Sequence, residues 1–250
     1  MPIRKTILIT GASSGLGAGM AREFAKLGRD LALCARRTDR LEELKSELLK
    51  AYPTIRIALR PIDVTDYDQV FAGFHSFHEE LGSLDRIIVN AGLGKGQPIG
   101  TGYFYANRKT AETNFVAALA QCEAALEIMR KQNSGHLVTI SSMAAMRGMP
   151  RNQTTYAATK AGLAALTEGI RADLLRTPIK VSTIYPGYIQ TELSSKAKKT
   201  PFMVDTETGC RAMVKAIETE KAEAFVPRWP WAPIGLLMRK LPLSVVSRIS

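Results

Sequence analysis

The stretch TILITGASSGLG, residues 6–17, joins a short apolar run to three glycines with the spacing Gly-x-x-x-Gly-x-Gly. The run has the composition of a buried strand, and Leu16, Met20 and Phe24 then follow at helical spacing. Glycine in such a loop lets the backbone turn tightly and approach a pyrophosphate, which the free amides of the following helix N-terminus stabilise. A purely structural tight turn is the alternative. The stretch therefore predicts a dinucleotide-binding loop formed by Gly11, Ser13, Ser14, Gly15, Leu16 and Gly17.

Strand-like and helical runs alternate along most of the chain. Runs such as TILIT and DLALCA are almost wholly apolar, which predicts a sheet covered on both faces, and the alternation predicts that its strands are parallel. The expected fold is α/β, a Rossmann-like doubly wound parallel sheet in a three-layer α/β/α sandwich. No linker divides the chain, so residues 1–250 are predicted to form a single domain. Besides the helix that carries Tyr156, helices are predicted over about 15–27, 40–50, 66–81 and 110–132.

The composition is that of an ordinary globular protein, with 46% hydrophobic and 23% charged residues. The net charge of +11 suggests anionic partners, but basic and acidic residues are interleaved, and the chain contains no nucleic-acid-reading motif. We therefore expect no nucleic-acid partner. Three widely spaced cysteines and three scattered histidines predict neither a disulfide framework nor a metal site. The N-terminus does not have the form of a secretion signal, so a cytoplasmic location is expected.

The end of the second predicted strand indicates which dinucleotide is bound. A protein that prefers NAD places an acid there to hold the ribose hydroxyls, whereas an arginine accommodates the 2′-phosphate of NADP. Here Ala35 stands near the acid's place and is followed by Arg36 and Arg37. The sequence therefore favours NADP over NAD. The alternative is that both arginines are solvated residues at a helix start, where Asp39 pairs with them.

Tyr156 and Lys160 lie four residues apart in TTYAATKAGL, residues 154–163. Residues at this spacing are neighbours on one helix face, so the phenol and the ammonium are predicted to face the same space. Taken alone, the pair is more often a solvent-facing amphipathic pair than a catalytic one. The remaining motifs decide between these interpretations.

With these motifs, the chain from about Lys5 to Thr191 resembles the short-chain dehydrogenase/reductase family. TGASSGLG is similar to the family's cofactor loop, and its spacing is that of the single-domain branch. Further matches follow in the family's order. The resemblance assigns cofactor contacts to Asp63, Val64, Asn90, Ala91, Gly92, Tyr156, Lys160, Pro186, Gly187, Ile189 and Thr191, and catalytic roles to Asn114, Ser142, Tyr156 and Lys160.

The resemblance implies hydride transfer between a nicotinamide and a carbonyl/alcohol pair. Tyr156 would act as general acid and base, with its pKa lowered by the ammonium of Lys160, which would also bind the nicotinamide ribose. Ser142 would stabilise the substrate oxygen, and Asn114 would hold a water in a proton relay. Ser142 lies fourteen residues before Tyr156, where the family has about thirteen, so Ser141 is a second candidate for its role.

The substrate is expected to be a small hydrophobic ketone, aldehyde or secondary alcohol, a class that includes lipids and steroids. Tyr103, Phe104 and Tyr105 are predicted to line its pocket, beneath a lid over about 188–210. The variable tail over about 227–250 mixes tryptophan and leucine with basic residues. It is expected either to lie peripherally on a membrane or to pack on a neighbouring subunit or on the core. By resemblance, the protein forms a homodimer or homotetramer through the helices that contain Asn114 and Tyr156. A non-catalytic NADP-binding sensor or scaffold is the alternative function.

Overall fold

The computed structural model describes residues 3–94, 96–191 and 201–249, without the side chains of 248 and 249. Within these residues, seven strands form one parallel sheet in the order β3-β2-β1-β4-β5-β6-β7. This is the predicted doubly wound arrangement. The strands are β1 (Thr6–Thr10), β2 (Asp30–Ala35), β3 (Ile57–Pro61), β4 (Arg86–Val89), β5 (Gly135–Ile140), β6 (Ile179–Pro186) and β7 (Glu223–Val226).

Helices cover both faces of the sheet, and those of the first half agree with the prediction to within two residues at each end. No helix of the described residues is both long and apolar enough to cross a membrane. The α-helices are α1 (Gly15–Lys26), α2 (Thr38–Ala51), α3 (Tyr67–Leu81), α4 (Phe104–Ala111), α5 (Ala117–Gln132), α6 (Thr154–Asp173), α7 (Thr206–Glu218), α8 (Arg228–Met238) and α9 (Leu243–Ile249).

The helix predicted over 110–132 differs from the observed one. It begins earlier, at Phe104, and a π-helical turn at Glu112–Val116 separates α4 from α5. π-helical turns leave the hydrogen-bond pattern of the helix locally open and are common at functional sites. Here the turn contains Asn114. The elements after β6, including β7, were not predicted from the sequence.

The strand residues are divided between two apolar layers. Ile7 and Ile9 pack with α1, α2 and α7 on one face of the sheet, whereas Leu8 packs with α3 and α5 on the other. Successive strand side chains point to opposite faces, so a strand covered on both sides must be apolar at every position. The uninterrupted burial of β1 and β2 follows from this arrangement.

The strand order changes direction at β1, which lies between β2 and β4. The connections from β1 to β2 and from β4 to β5 therefore leave in opposite directions and open a crevice at the carboxyl ends of the strands. In doubly wound folds, ligands bind at this point. The glycine loop follows β1 directly and lies at the crevice.

A buried charge network lies at the amino ends of the strands, on the side of the sheet opposite the carboxyl-end crevice. Glu220 accepts a hydrogen bond from Nε of Arg4 at 2.8 Å and lies 3.5 Å from a guanidinium nitrogen of Arg86, which also pairs with Glu218. Nε of Arg86 donates to Nδ1 of His136 at 2.9 Å. Burial, followed by the charges of Arg86 and Arg4, holds the pKa of His136 well below its usual value. His136 is therefore a neutral acceptor in this network.

Candidate active site

The glycine loop has the backbone geometry that its sequence predicts. Gly11 and Gly15 have φ angles of +66° and +54°, which other residues adopt only with strain. A Cβ on Gly17 would overlap the carbonyl oxygen of Gly11, and one on Gly11 would lie 2.9 Å from Cα of Ala91. The loop is thus packed against the end of β4 with no space for side chains.

The Asn90–Gly92 turn joins β4 to the loop after β1. Nδ2 of Asn90 donates to the carbonyl oxygen of Thr10 at 2.8 Å, and the amides of Asn90 and Ala91 donate to the Thr10 hydroxyl. These bonds connect the two strands on either side of the crevice. The turn is therefore a fixed wall of the crevice.

A polar crevice of about 480 Å³ opens at the N-terminus of α1. Arg37 closes one side, since its guanidinium donates to the hydroxyls of Ser13 and Ser14 at 3.3 and 2.6 Å. Free amides at a helix start, hydroxyls and guanidinium groups are suited to a pyrophosphate, so the residues present fit a dinucleotide. The crevice is lined by Ser13, Ser14, Gly15, Ala18, Arg22, Arg40, Gln190, Thr191 and Thr206.

Arg36, the other arginine predicted to bind the 2′-phosphate of NADP, lies beside the residues that follow β3. A guanidinium nitrogen of Arg36 is 3.8 Å from a carboxylate oxygen of Asp63, which accepts hydrogen bonds from the amide and hydroxyl of Thr65. Val64 is buried against the core. Arg36 and Arg37 thus lie on the side of the crevice formed by β2 and β3.

Tyr156 lies in the first turn of α6 and Ser142 lies two residues after the end of β5, close enough to Tyr156 to lower the pKa of its phenol. Lys160 lies one helical turn beyond Tyr156, and its Nζ is 6.0 Å from the centre of the Tyr156 ring. Nζ donates to the carbonyl oxygen of Ile140 at 2.8 Å. The spacing in the sequence therefore brings the three side chains together, as expected.

Burial shifts the pKa values of Tyr156 and Lys160 toward their neutral forms. It raises the pKa of Tyr156; the hydrogen bond with Ser142 opposes this rise, and nearby Tyr188 adds to it. Burial lowers the pKa of Lys160 to about 8. We expected the ammonium of Lys160 to lower the pKa of the phenol, but in the structure this pKa is raised, and burial is the largest cause. The protein alone thus keeps Tyr156 protonated.

The structure distinguishes the two candidate serines. The Ser141 hydroxyl is buried and donates to the carbonyl oxygen of Lys160 at 2.8 Å, so it is turned toward the backbone of α6. Ser142 instead contacts Tyr156 and also accepts from the amide of Ala144. Two short 3₁₀ turns, Met143–Met146 and Arg151–Gln153, lie between Ser142 and Tyr156.

Asn114 is 1% exposed and is fixed by the backbone of Leu93, whose amide donates to Oδ1 and whose carbonyl accepts from Nδ2, at 2.7 and 2.8 Å. A Cβ on Gly92 would lie 3.2 Å from Oδ1 of Asn114 and 3.5 Å from Nζ of Lys160. Asn114, Gly92 and Lys160 therefore adjoin one another. The π-helical turn thus places Asn114 beside the Gly92 turn and Lys160.

Comparison with known proteins identifies the family of this chain. The family model described as short chain dehydrogenase matches residues 5–201. The chain belongs to the short-chain dehydrogenase family. It is 53% identical to an uncharacterised oxidoreductase of Mycobacterium tuberculosis (strain H37Rv) over 247 residues, which is 99% of this chain and 98% of the relative.

Two solved structures resemble this short-chain dehydrogenase closely. The NADPH-dependent 3-quinuclidinone reductase of Rhodotorula rubra has a TM-score of 0.79 at 25% identity and covers 88% of each chain. A short-chain dehydrogenase/reductase of Burkholderia phymatum in complex with NAD has a TM-score of 0.83 at 21% identity, over 97% of this chain and 94% of the other. At that identity, the second likeness supports the fold alone. The family and the first likeness support a nicotinamide cofactor, without establishing whether this chain uses NAD or NADP.

The segment after β6 brings the remaining predicted residues of this dehydrogenase to the crevice. Ile189 is buried and forms a β-bridge with Val204, and Thr191 lies against Gly15. At Gly187, which follows Pro186, a Cβ would overlap the indole ring of Trp231. Residues 192–200 of the predicted lid lie outside the described residues.

Sequence reasoning missed an aromatic cluster beside this segment. The ring of Trp231 meets those of Tyr188 and Phe202 edge-on, with centroids 5.3 and 6.3 Å apart. Trp231 also packs with Met143 and Met146, just beyond Ser142. No local pattern in the sequence indicates these contacts, because Trp231 lies 44 residues after Gly187.

The aromatic residues that were predicted to line the pocket lie elsewhere. Tyr103, Phe104 and Tyr105 are exposed at the start of α4. The chain turns into a helix at Phe104, and the first turn of this helix faces outward. In the described residues, the aromatic cluster next to the site comes instead from the segment between β6 and α7 and from α8.

Proposed function

We propose that this short-chain dehydrogenase is an NADP(H)-dependent oxidoreductase that interconverts a hydrophobic ketone or aldehyde and its alcohol. One observation carries the proposal. The side chains of Tyr156 and Ser142 are close enough to interact, Lys160 is buried beside them, and the Gly92 turn next to Lys160 packs against a glycine loop suited to a dinucleotide. A protein that only binds the cofactor has no need of this arrangement.

When bound, the nicotinamide supplies or accepts the hydride. Tyr156 donates its proton to the substrate oxygen as charge develops there, and the Ser142 hydroxyl donates a hydrogen bond to the same oxygen. The raised pKa of Tyr156 keeps its proton available until that moment. Lys160 binds the ribose and returns a proton to Tyr156, and Asn114, which adjoins Lys160, holds the water that connects it to solvent.

The two arginines support NADP as the cofactor. Arg37 already contacts both serines of the glycine loop, and Arg36 lies across from Asp63 on the same side. Guanidinium groups bind phosphate well in bidentate geometry, whereas the acid that would hold the ribose hydroxyls of NAD is replaced by Ala35. The dependence of the Rhodotorula reductase on NADPH agrees with this choice.

Replacing both Arg36 and Arg37 by alanine is expected to lower the ratio of kcat/KM with NADPH to that with NADH by about 10- to 100-fold, because hydrogen bonds to a charged phosphate are lost. Steady-state kinetics with both cofactors measures the ratio. As a matched control, the double variant Lys45→Ala/Lys50→Ala removes the same charge from α2 and should leave the ratio unchanged. An equal ratio in the two double variants would show that Arg36 and Arg37 do not bind the 2′-phosphate of NADP.

Reductive activity is expected to fall as the pH rises through about 8. Burial lowers the pKa of Lys160 to about 8, so above that pH the amine is neutral and cannot pass a proton on. The raised pKa of Tyr156 leaves the phenol protonated in this range. The pH profile of kcat/KM for NADPH reports groups of the free enzyme. The inflection should disappear in Lys160→Arg, whose guanidinium stays charged; if it persists there, it belongs to another group.

The aromatic cluster supports a hydrophobic substrate. Tyr188, Phe202 and Trp231 lie beside the segment that joins the crevice, and Tyr188 is near enough to Tyr156 to influence its pKa. We propose that these rings form one wall of the substrate pocket, with Tyr188 and Phe202 contributed by the lid at about 188–210 and Trp231 by α8. The proposal includes a single-domain cytoplasmic protein that assembles as a homodimer or homotetramer.

A substrate screen tests the proposed function against the non-catalytic alternative. Ketones, aldehydes and alcohols of graded chain length are supplied with NADPH or NADP, and turnover is followed by NADPH absorbance. We expect activity that rises with the apolar character of the carbonyl compound. Cofactor binding without turnover on any compound of the series would instead favour a sensor or scaffold.

A further inference from the structure

Helix α8 has two different faces. Its inner face carries Trp231 and Gly235, which are buried, and Ile234 and Met238 pack partly against the same cluster. Part of the tail therefore completes the core, as one of the three sequence-based alternatives proposed. This packing fixes the helix firmly beside the active site, because Trp231 rests on Gly187.

The outer face of α8 is apolar and exposed. Trp229, Leu236 and Leu237 are 79%, 65% and 58% exposed, and Leu243 at the start of α9 is 66% exposed. Trp229, Pro233 and Leu236 also line a shallow groove with an apolar lining. Large apolar side chains that cluster on the surface mark a binding surface, whereas scattered ones do not.

The charges around this face have one sign. From Pro227 to Ser250 the sequence has four basic residues and neither Asp nor Glu, within a chain of net charge +11. Arg228 begins α8, and Arg239 and Lys240 follow its end, so positive charge lies at both ends of the apolar face. We call Arg228, Trp229, Leu236, Leu237, Arg239, Lys240 and Leu243 the C-terminal surface.

We propose that the C-terminal surface binds to the interface of an anionic lipid membrane. Basic residues around an exposed apolar helix face are attracted to anionic headgroups, tryptophan prefers headgroup depth, and leucines reach the acyl boundary. A second copy of the chain is a poorer occupant. In a two-fold contact the same patch faces itself, which brings positive charges together. This binding goes beyond the proposed oxidoreductase function and does not depend on it.

Docking in this way would set the aromatic cluster next to the lipid. Trp231 and Trp229 lie two residues apart, the first against Gly187 in the site and the second on the outer face. A hydrophobic substrate dissolved in the bilayer would then reach the cluster over a short path. Helix α8 therefore connects the C-terminal surface directly with the aromatic cluster.

Vesicle flotation of the full chain tests the proposal. The protein is expected to float with phosphatidylcholine vesicles that contain phosphatidylserine and to remain largely unbound with phosphatidylcholine alone. The triple variant Trp229→Ser/Leu236→Gln/Leu237→Gln should lower the partition coefficient by about tenfold or more. High salt should weaken the remaining binding.

A matched control tests whether vesicle binding depends on the C-terminal surface in particular. The triple variant Leu27→Gln/Ile99→Gln/Leu175→Gln removes exposed apolar side chains elsewhere and should float like the original protein. Equal partitioning of both triple variants, or no flotation of the original chain, would overturn the proposal. The proposal would also be overturned if the original chain formed an oligomer that did not bind vesicles, and sedimentation showed that the C-terminal triple variant no longer formed this oligomer. Turnover of a water-soluble ketone should be unchanged in both variants, so failure of the chemistry is detected separately.

Discussion

Tyr156→Phe is expected to lower kcat for NADPH-dependent carbonyl reduction by about 100- to 10,000-fold, the usual contribution of a positioned general acid. The ring remains in its partly buried place, so packing and cofactor binding should be close to those of the original protein. The variant loses the hydroxyl that donates the proton and that interacts with Ser142. Single-turnover kinetics measures the chemical step, and fluorescence titration with NADPH measures binding.

Tyr185→Phe is a suitable control for this variant. Tyr185 is 2% exposed and donates to Glu223 at 3.1 Å, so its replacement also removes a hydroxyl from a buried ring. It should cost about 1 kcal/mol of stability and leave kcat nearly unchanged. If Tyr156→Phe turned over at the original rate, the proposed acid would be wrong, although the family assignment would stand.

Glu220→Gln is expected to lower the free energy of unfolding by about 3 kcal/mol. The substitution keeps the shape of the side chain but removes the carboxylate that pairs with Arg4 and lies near Arg86. Both guanidinium groups are almost completely buried, and removing one partner of a buried ion pair leaves a charge without compensation. Urea unfolding at neutral pH measures the change.

Glu47→Gln provides the comparison. Glu47 pairs with Arg22 at 2.6 Å, but about half of each side chain is exposed, so water replaces the lost partner. The expected loss is below about 1 kcal/mol. Equal losses in the two variants would show that burial of the network contributes little to stability. Activity of the folded Glu220→Gln protein should be retained, because the network lies at the amino ends of the strands, whereas the crevice lies at their carboxyl ends.

The parts predicted correctly from the sequence depend on local spacing. An apolar run followed by closely spaced glycines specifies its own strand, turn and helix, and Tyr156 and Lys160 share a helix face through their separation alone. The all-apolar strands further require cover on both faces of the sheet. The family resemblance then orders the other motifs along the crevice.

The parts that were missed depend on distant contacts. Trp231 reaches Gly187 only through the path of the chain after β6, which no periodicity in the sequence specifies. The direction of the pKa shift of Tyr156 was missed because it follows from burial, a property of the completed packing. Likewise, the π-helical turn at Asn114 departs from the helical period by which helices are predicted.

The seating of Trp231 on Gly187 sets a condition for exchanging C-terminal segments between relatives. A grafted segment must place a flat aromatic ring against Gly187, where a Cβ would overlap that ring. Otherwise, the loop after β6 must be redesigned together with the segment. Positions 187 and 231 should therefore be varied together in any library intended to change substrate range.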